Sequence, residues 1–176
     1  MTSPSVASVA AFTGLPVPRI AGTWPQVQAS LASEGIASRP VQVAALATIW
    51  VETPGFLPIR EYATGHAYEF RSDLGNTMAG DGPRYKGRGY LQLTGRANYR
   101  AMGARLDLPL EDTPDLALRP DIAAEVLAVY FKDRGVADAA EREDWREVRR
   151  RVNGGLNGWA RFASAVSYFG YTPEAA

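Results

Sequence analysis

The chain has 176 residues, of which 46% are hydrophobic and 22% are charged, and its formal net charge is zero. This length and composition predict one globular domain with a sizeable core, and the zero net charge gives no sign of a nucleic-acid-binding surface. The absence of cysteine excludes a disulfide framework, a thiolate nucleophile and a cysteine-based zinc site.

Residues 1–22 are small and polar and include proline, which predicts a flexible N-terminal arm or linker ahead of a single folded domain over residues 23–176. The arm lacks the basic start and apolar stretch of a secretory signal. No apolar run reaches the roughly 20 residues that a membrane span needs. We therefore expect a protein without a membrane span that is made in a cytoplasm and is released by another factor if it acts outside.

Two helices are predicted next along the chain. Thr23-Trp24-Pro25-Gln26 is a helix-start pattern, and this first helix ends near Gly35. The second helix starts at Ser38-Arg39-Pro40, is apolar on most sides and ends before Pro54-Gly55. Glu52 is left at its C-terminal end, where the helix dipole and apolar neighbours would raise the pKa of the carboxyl group. Glu52 is therefore a candidate proton donor.

Residues 56–95 predict short strands and long loops, because glycine, proline, tyrosine and asparagine recur there in short bursts. The best strand candidate covers residues 90–94. Helices are predicted after it at about 95–106, 120–133, 143–152 and 158–169. The pattern indicates a mostly α fold, a helical domain with a small β-containing insert that flanks a substrate cleft. An arginine run at 146 and 149–151 is interpreted as a solvated helix face.

Carboxylates recur through the break-rich segment after the apolar helix. Glu61 and Glu69 follow Glu52 at short intervals, and a glycine-rich polar run follows them. Acids placed in this way suit acid–base chemistry on a neutral, hydroxyl-rich substrate such as a glycan. His66 is the only histidine, and no Gly-x-Ser-x-Gly segment accompanies it, so a serine–histidine–acid triad is not expected. No cofactor and no metal are expected, because the spacing of Asp73, Asn76 and Asp81 does not fit an EF-hand.

Several ordered segments resemble glycoside hydrolase family 19, which contains chitinases and the chitinase-like endolysins of bacteriophages. The resemblance covers roughly residues 24–170, and its most specific parts are Asp73-Leu74-Gly75-Asn76-Thr77, Gly80-Asp81-Gly82, residues 84–89, residues 92–99 and residues 151–158. It implies an α+β lysozyme-like fold for a single catalytic domain over residues 23–176.

The resemblance also implies catalytic roles. Glu52 matches the general acid of the family's His-Glu-Thr-Gly-Gly segment, although this chain has Val51 and Pro54 where many chitinases have histidine and glycine. Glu61 lies nine positions later, the spacing of the general base in short-loop bacterial members. Thr94 matches the residue that positions the attacking water.

Further residues are implied in substrate binding. Gln92, Asn98 and Asn153 match residues that line the sugar cleft, and Glu69 is the alternative base from the longer-loop members. Arg161 is suggested as a buried arginine that tunes the base. From their side chains alone, Tyr62, Tyr68, Tyr85 and Tyr90 are candidates to stack on sugar faces, and Tyr62 and Tyr85 are predicted to bind substrate.

Some of these residues could instead have purely structural roles. Glu61 can form a surface salt bridge with Arg60 or Arg88, and Glu69 can pair with Arg71 or Arg88. Gly87 and Gly89 can serve only tight turns.

The expected function is an endolysin-type hydrolase that cleaves β-1,4 bonds of bacterial peptidoglycan by an inverting mechanism and acts as a monomer after holin-type release. The absence of cysteines, of a secretory signal and of an appended chitin-binding module favours peptidoglycan. The alternatives are a chitinase acting on N-acetylglucosamine polymers and an inactive glycan-binding module. Glycan strands are the expected partner, with no nucleic acid.

Overall fold

The structure is a computed structural model that describes residues 2–174. Its helices and strands, in chain order, are α1 Val6–Thr13, α2 Val17–Ala21, α3 Trp24–Ser33, α4 Arg39–Glu52, β1 Ile59–Arg60, α5 Asp81–Arg84, β2 Arg88–Gly89, α6 Arg96–Leu106, α7 Pro120–Asp133, α8 Val136–Glu141, α9 Trp145–Asn153 and α10 Trp159–Tyr168. Short 3-10 turns cover His66–Tyr68, Ser72–Leu74 and Pro114–Leu118. The mostly helical fold with a small β-containing insert is confirmed.

The chain divides into two compact units. The first contains residues up to 56 and from 127 onward, and the second contains residues 57–126. In the first unit, α4 packs against α10, α8 and α9. Every residue of α4 from Val41 to Ile49 is buried, and several are alanines that permit close helix contacts. Each large apolar side chain buried in this way contributes about 1.5–3 kcal/mol to the free energy of unfolding, so α4 is a rigid base for the residues at its end.

The second unit is built around a two-stranded antiparallel sheet and a small core. Strands β1 and β2 pair with Ile59 opposite Gly89 and Arg60 opposite Arg88. The core contains aromatic as well as aliphatic side chains, namely Tyr85, Tyr99, Leu110, Ala117, Ile122 and Val126.

The strand predicted over residues 90–94 is wrong. The strand β2 lies just before it, and only Leu93 forms an isolated bridge, back to Arg88. Gln92 has a φ of 54°, which interrupts an extended backbone. The segment is therefore a tight loop rather than a strand.

The predicted flexible arm over residues 1–22 is also wrong for residues 2–22, which carry α1 and α2. Ser5 caps α1 with its side chain, and Val9 and Ile20 are fully buried. The indole Nε1 of Trp24 donates a hydrogen bond to the carbonyl of Pro4 at 2.8 Å. The segment is thus folded onto the first unit. The role of residues 23–176 as a single catalytic domain stays a prediction.

Phe12 gives a direct test of this packing. Its ring lies 5.4 Å from that of Trp50, 4.9 Å from that of Tyr168 and 5.8 Å from that of Phe169, measured between centroids. Because Phe12 is half-buried, Phe12→Ala is expected to lower the free energy of unfolding by about 2 kcal/mol in urea titrations. Val17→Ala is the control, because Val17 is 55% exposed, and it is expected to change stability very little. Equal stability of Phe12→Ala and the parent chain would contradict this packing and support the predicted flexible arm.

Candidate active site

Glu52 is the last residue of α4, and its side chain is 24% exposed. Arg149 of α9 donates from Nη1 to Oε1 of Glu52 at 2.7 Å, and the arginine side chain is only 1% exposed. The Nε of Arg149 donates to the carbonyl of Asn157 at 2.8 Å. A charge-assisted hydrogen bond from a buried arginine fixes the orientation of the carboxylate.

Arg149 corrects two predictions from the sequence. It does not lie on a solvated face, since it is buried beside Trp145 and Val148 on α9. The predicted environment of Glu52, an apolar helix end, also omitted a charge, because the guanidinium of Arg149 donates to its carboxylate. Arg161, suggested as a buried arginine, places its guanidinium 3.9 Å from the ring centre of Trp50.

Glu61 follows β1 and is held by two neutral donors of the second unit. The hydroxyl of Tyr68 donates to Oε1 at 2.9 Å, and the backbone N–H of Gly87 donates to Oε2 at 3.0 Å. Burial, and then the hydrogen bond to Glu61, raise the pKa of Tyr68, so this phenol remains a donor at neutral pH. A Cβ atom on Gly87 would lie 3.2 Å from Oε2 of Glu61 and 2.6 Å from Oε1 of Gln92. Gly87 therefore permits a close approach of backbone to carboxylate.

The proposed salt bridge of Glu61 with Arg60 or Arg88 is wrong, because both arginines bind Asp115. Arg60 reaches Oδ2 at 2.5 Å, and Arg88 reaches Oδ1 at 2.8 Å. Arg88 is 7% exposed and also donates to the hydroxyl of Tyr99 at 3.1 Å. The arginines thus tie β1 and β2 to the 3-10 turn at 114–118 and leave Glu61 to its neutral donors.

Replacement of Asp115 tests this network with a defined pH dependence. Partial burial acts to raise the pKa of Asp115, but the hydrogen bonds and charges of Arg88 and Arg60 outweigh it and hold the pKa below its usual range. A carboxyl group with a lowered pKa stabilises the fold above its unfolded pKa of about 3.9, and this contribution is lost as the pH falls through the folded value.

Asp115→Asn is accordingly expected to lower the free energy of unfolding by about 1 kcal/mol at pH 7, a modest value because Asp115 is 57% exposed. The difference from the parent chain should shrink below about pH 4. Denaturant titrations across pH measure it. Asp73→Asn is the control, because it breaks the exposed pair with Arg71, and a smaller loss is expected. A difference that grows in acid would contradict the argument.

Glu69 is a structural clamp. Its two carboxylate oxygens accept hydrogen bonds from the backbone N–H groups of Gly80 and Gly82, the latter at 2.7 Å. The predicted pairing of Glu69 with Arg71 or Arg88 is wrong, since Arg71 binds Asp73 at 2.5 Å and Arg88 binds Asp115. Its predicted role as a substrate ligand or alternative base stays untested, but both oxygens already have partners.

Gln92, Thr94 and Asn98 form a chain of hydrogen bonds. The amide of Gln92 donates to the carbonyls of Ile59 and Gly89, each at 3.1 Å. The hydroxyl of Thr94 donates to the carbonyl of Gln92 at 2.8 Å, and the amide of Asn98 donates to the carbonyl of Thr94 at 2.6 Å. A hydroxyl that donates to a carbonyl still has lone pairs with which to accept from a water molecule. Thr94 therefore has the chemistry that a water-positioning residue needs.

The tyrosines predicted to stack on sugars differ in exposure. Tyr62 is 94% exposed and has the open ring that this role requires. Tyr85 and Tyr90 are each only 1% exposed, so the prediction that they contact sugar rings is wrong. Tyr85 packs in the core of the second unit and donates its hydroxyl to the carbonyl of Glu111 at 3.2 Å.

Asn153 ends α9 and shapes the turn that follows. Its amide donates to the carbonyl of Asn157 at 3.3 Å, and its Oδ1 accepts from the N–H of Gly155 at 3.1 Å. The carbonyl of Asn157 also receives Arg149. The predicted sugar-binding residue Asn153 thus lies in the same hydrogen-bond network as Glu52.

Asp73, Asn76 and Asp81 also have structural partners. Asn76 donates to the carbonyl of Tyr68 at 2.8 Å, and Asp81 accepts from the N–H groups of residues 77 and 78. Over residues 2–174, no group of three or more histidine and acidic side chains is arranged to hold a metal ion. None of the helices in that range is both long and apolar enough to cross a membrane.

Comparison with known proteins places these sites in a family context. No family model matches the chain. It is 36% identical over 98 residues to a glycosyl hydrolase family 19 domain-containing protein of Haemophilus influenzae. The matched segment covers 56% of this chain and 47% of that protein. It is also 35% identical over 86 residues to an endochitinase of Arabidopsis thaliana. This match covers 49% of this chain and 30% of the endochitinase. The chain spans less than half of the length of these two relatives.

The fold is similar to that of chitinase C from Streptomyces griseus, with a TM-score of 0.73 and 22% sequence identity. The similarity covers 98% of this chain and 79% of the chitinase. The predicted resemblance to glycoside hydrolase family 19 is confirmed in sequence by the relatives and in fold by this structure.

Proposed function

We propose that the chain is an inverting glycoside hydrolase that cleaves β-1,4 bonds in the glycan strands of bacterial peptidoglycan, as an endolysin of the bacteriophage type. Glu52 is the general acid, Glu61 is the general base, and Thr94 positions the attacking water. The observation that carries the proposal is the environment of Glu61: a carboxylate held by the hydroxyl of Tyr68 and the N–H of Gly87, with the neighbouring arginines engaged elsewhere.

In the proposed reaction, Glu52 donates a proton to the glycosidic oxygen of the leaving sugar. Glu61 removes a proton from the water that attacks the anomeric carbon. An inverting reaction requires the two carboxyl groups to be about 6.5–9.5 Å apart when substrate is bound, so that water fits between base and sugar. The two neutral donors hold Glu61 in place for this role.

The contact with Arg149 bears on the role proposed for Glu52 as the general acid. The carboxyl must carry a proton before it can donate one, and it does so beside the guanidinium that donates to its Oε1. Arg149 then stabilises the carboxylate that remains after the proton has left.

Peptidoglycan is favoured over chitin by the acid segment and by composition. The chain has Val51 and Pro54 where many chitinases have histidine and glycine, and it has no cysteines. Chitin is the second candidate, and the endochitinase name of the Arabidopsis relative supports it. As part of the proposal, the enzyme acts as a monomer and reaches the cell wall from the cytoplasm after holin-type release.

Digestion of purified sacculi and of chitin oligomers tests the proposal. Clearing of the sacculi, with new reducing ends identified by mass spectrometry, is the expected result, and the identity of the reducing sugar names the bond. NMR of the first product should show the inverted anomer. Cleavage of chitin oligomers alone would make the chain a chitinase. Retention on sacculi without cleavage by the parent chain would make it a glycan-binding module.

A further inference from the structure

Phe70 occupies a backbone position that disfavours phenylalanine. Residues 68–71 form a type II β-turn: Glu69 has φ −64° and ψ 134°, Phe70 has φ 54°, and the N–H of Arg71 donates to the carbonyl of Tyr68 at 3.3 Å. The third residue of this turn type needs a positive φ and is usually glycine or asparagine. Holding a bulky side chain there is energetically unfavourable.

Burial does not offset this cost, because the Phe70 side chain is 64% exposed. Within residues 2–174, the other non-glycine residues with positive φ have evident structural reasons. Phe56 is fully buried, and Gln92 uses its amide in two hydrogen bonds. Asp107 and Glu143 end helical segments, where a left-handed residue is common. Phe70 alone in this range combines strain with a large apolar side chain turned to solvent.

The turn is held on both sides, so Phe70 cannot relax. Before it, Glu69 is bound to the N–H groups of Gly80 and Gly82. After it, the carbonyl of Arg71 accepts from the N–H groups of residues 74 and 76 at 3.0 and 3.1 Å. The fold therefore imposes the conformation that presents the ring.

The turn also connects Phe70 to the proposed base. Tyr68, its first residue, donates its hydroxyl to Glu61 at 2.9 Å. The exposed ring thus extends from a turn whose first side chain orients Glu61.

We infer that Phe70 is a substrate-contacting residue whose ring packs on the apolar C–H face of a sugar of the bound glycan. The inference rests on the proposed function. Strained backbone conformations cluster at active sites and ligand-binding positions, and an aromatic ring beside polar groups suits a carbohydrate, which has an apolar face and a hydroxyl rim. The link to Glu61 favours glycan over a protein or a lipid surface as the occupant.

Kinetics of Phe70→Gly on sacculi and on glycan oligomers of increasing length test the inference. Glycine accepts the positive φ, so the melting temperature should be unchanged or higher. KM should rise about three- to tenfold on long substrates while kcat is retained, the expected effect of losing one aromatic contact made equally in the ground and transition states. Phe70→Tyr should restore KM.

Asp107→Gly is the matched control, because Asp107 is also exposed, has φ 55° and lies in the second unit. It should leave KM unchanged. A KM for Phe70→Gly equal to that of the parent chain, with cleavage intact, would overturn the inference and leave the proposed function standing.

If the parent chain cleaves neither glycan, the proposed function fails, and binding decides the role of Phe70. Pelleting with sacculi or chitin beads then measures retention of the parent chain and of Phe70→Gly. Weaker retention of the variant supports a glycan contact. Equal retention of the parent chain and of Phe70→Gly overturns the inference. A variant that binds lipid vesicles more weakly than the parent chain, but glycan equally well, also overturns it.

Discussion

Glu52→Gln is expected to lower kcat on sacculi by about 10²–10⁴-fold, because glutamine cannot donate a proton to the leaving oxygen. Glycan binding should be retained, so the variant should still pellet with sacculi. Glu34→Gln is a suitable control, since Glu34 follows α3 and pairs with Lys132, and it should leave kcat unchanged. Full activity of Glu52→Gln would remove this residue from the proposed mechanism.

The same replacement has a predictable effect on stability. The glutamine oxygen can still accept from Arg149, but the buried guanidinium loses its counter-charge, so a fall of about 1–3 kcal/mol in the free energy of unfolding is expected. The double variant Glu52→Gln, Arg149→Met removes the buried charge as well. It should recover part of that loss, and a double-mutant cycle from denaturant titrations measures the coupling. Strictly additive effects of the two changes would show that the ion pair has no energetic coupling.

Glu61→Gln is the second replacement with a large expected effect, again about 10²–10⁴-fold in kcat, because the amide cannot accept a proton from water. Tyr68 and Gly87 can keep at least one hydrogen bond to the amide oxygen, so the fold should persist. Azide needs no deprotonation before it attacks. It should restore part of the activity in Glu61→Gly, where the removed side chain leaves room for it, and none in Glu52→Gln.

Glu69→Gln separates the two carboxylates proposed for the base. One amide N–H of the glutamine would face a backbone N–H of Gly80 or Gly82, so a stability loss of about 1–3 kcal/mol is expected. Its kcat should fall by less than about tenfold. The opposite pattern, an active Glu61→Gln and an inactive Glu69→Gln, would transfer the base role to Glu69.

Elements with their own local signals could be predicted from the sequence. Helix α4 has a proline near its start, an apolar run and a proline after its end, and its predicted bounds agree closely with the observed ones, Arg39–Glu52. Helices α1 and α2 are only eight and five residues long, too short to be stable on their own. They depend on tertiary contacts, such as Trp24 with the carbonyl of Pro4, which a local pattern does not reveal.

In the candidate site, too, some residues could be predicted from local sequence and others depend on tertiary contacts. Glu52 and Glu61 could be selected from spacing and resemblance, but the partner of Glu52 could not, because burial of an arginine is a tertiary property. One signal was present in α9: Arg149 lies four residues after Trp145 and one after Val148, on the same helix face. The sequence predicts sugar binding for Tyr85 because its ring suits both roles, and only packing distinguishes a core tyrosine from an exposed one.

The ion pair of Glu52 joins residues 97 positions apart in the chain. At translation rates of about 5–20 residues per second, roughly 5–20 s separate the synthesis of the carboxylate from that of the arginine. A nascent or prematurely terminated polypeptide that stops before α9 carries the proposed acid without its guanidinium. Synthesis of α9 is therefore a precondition for this contact, and fragments that lack α9 should be inert.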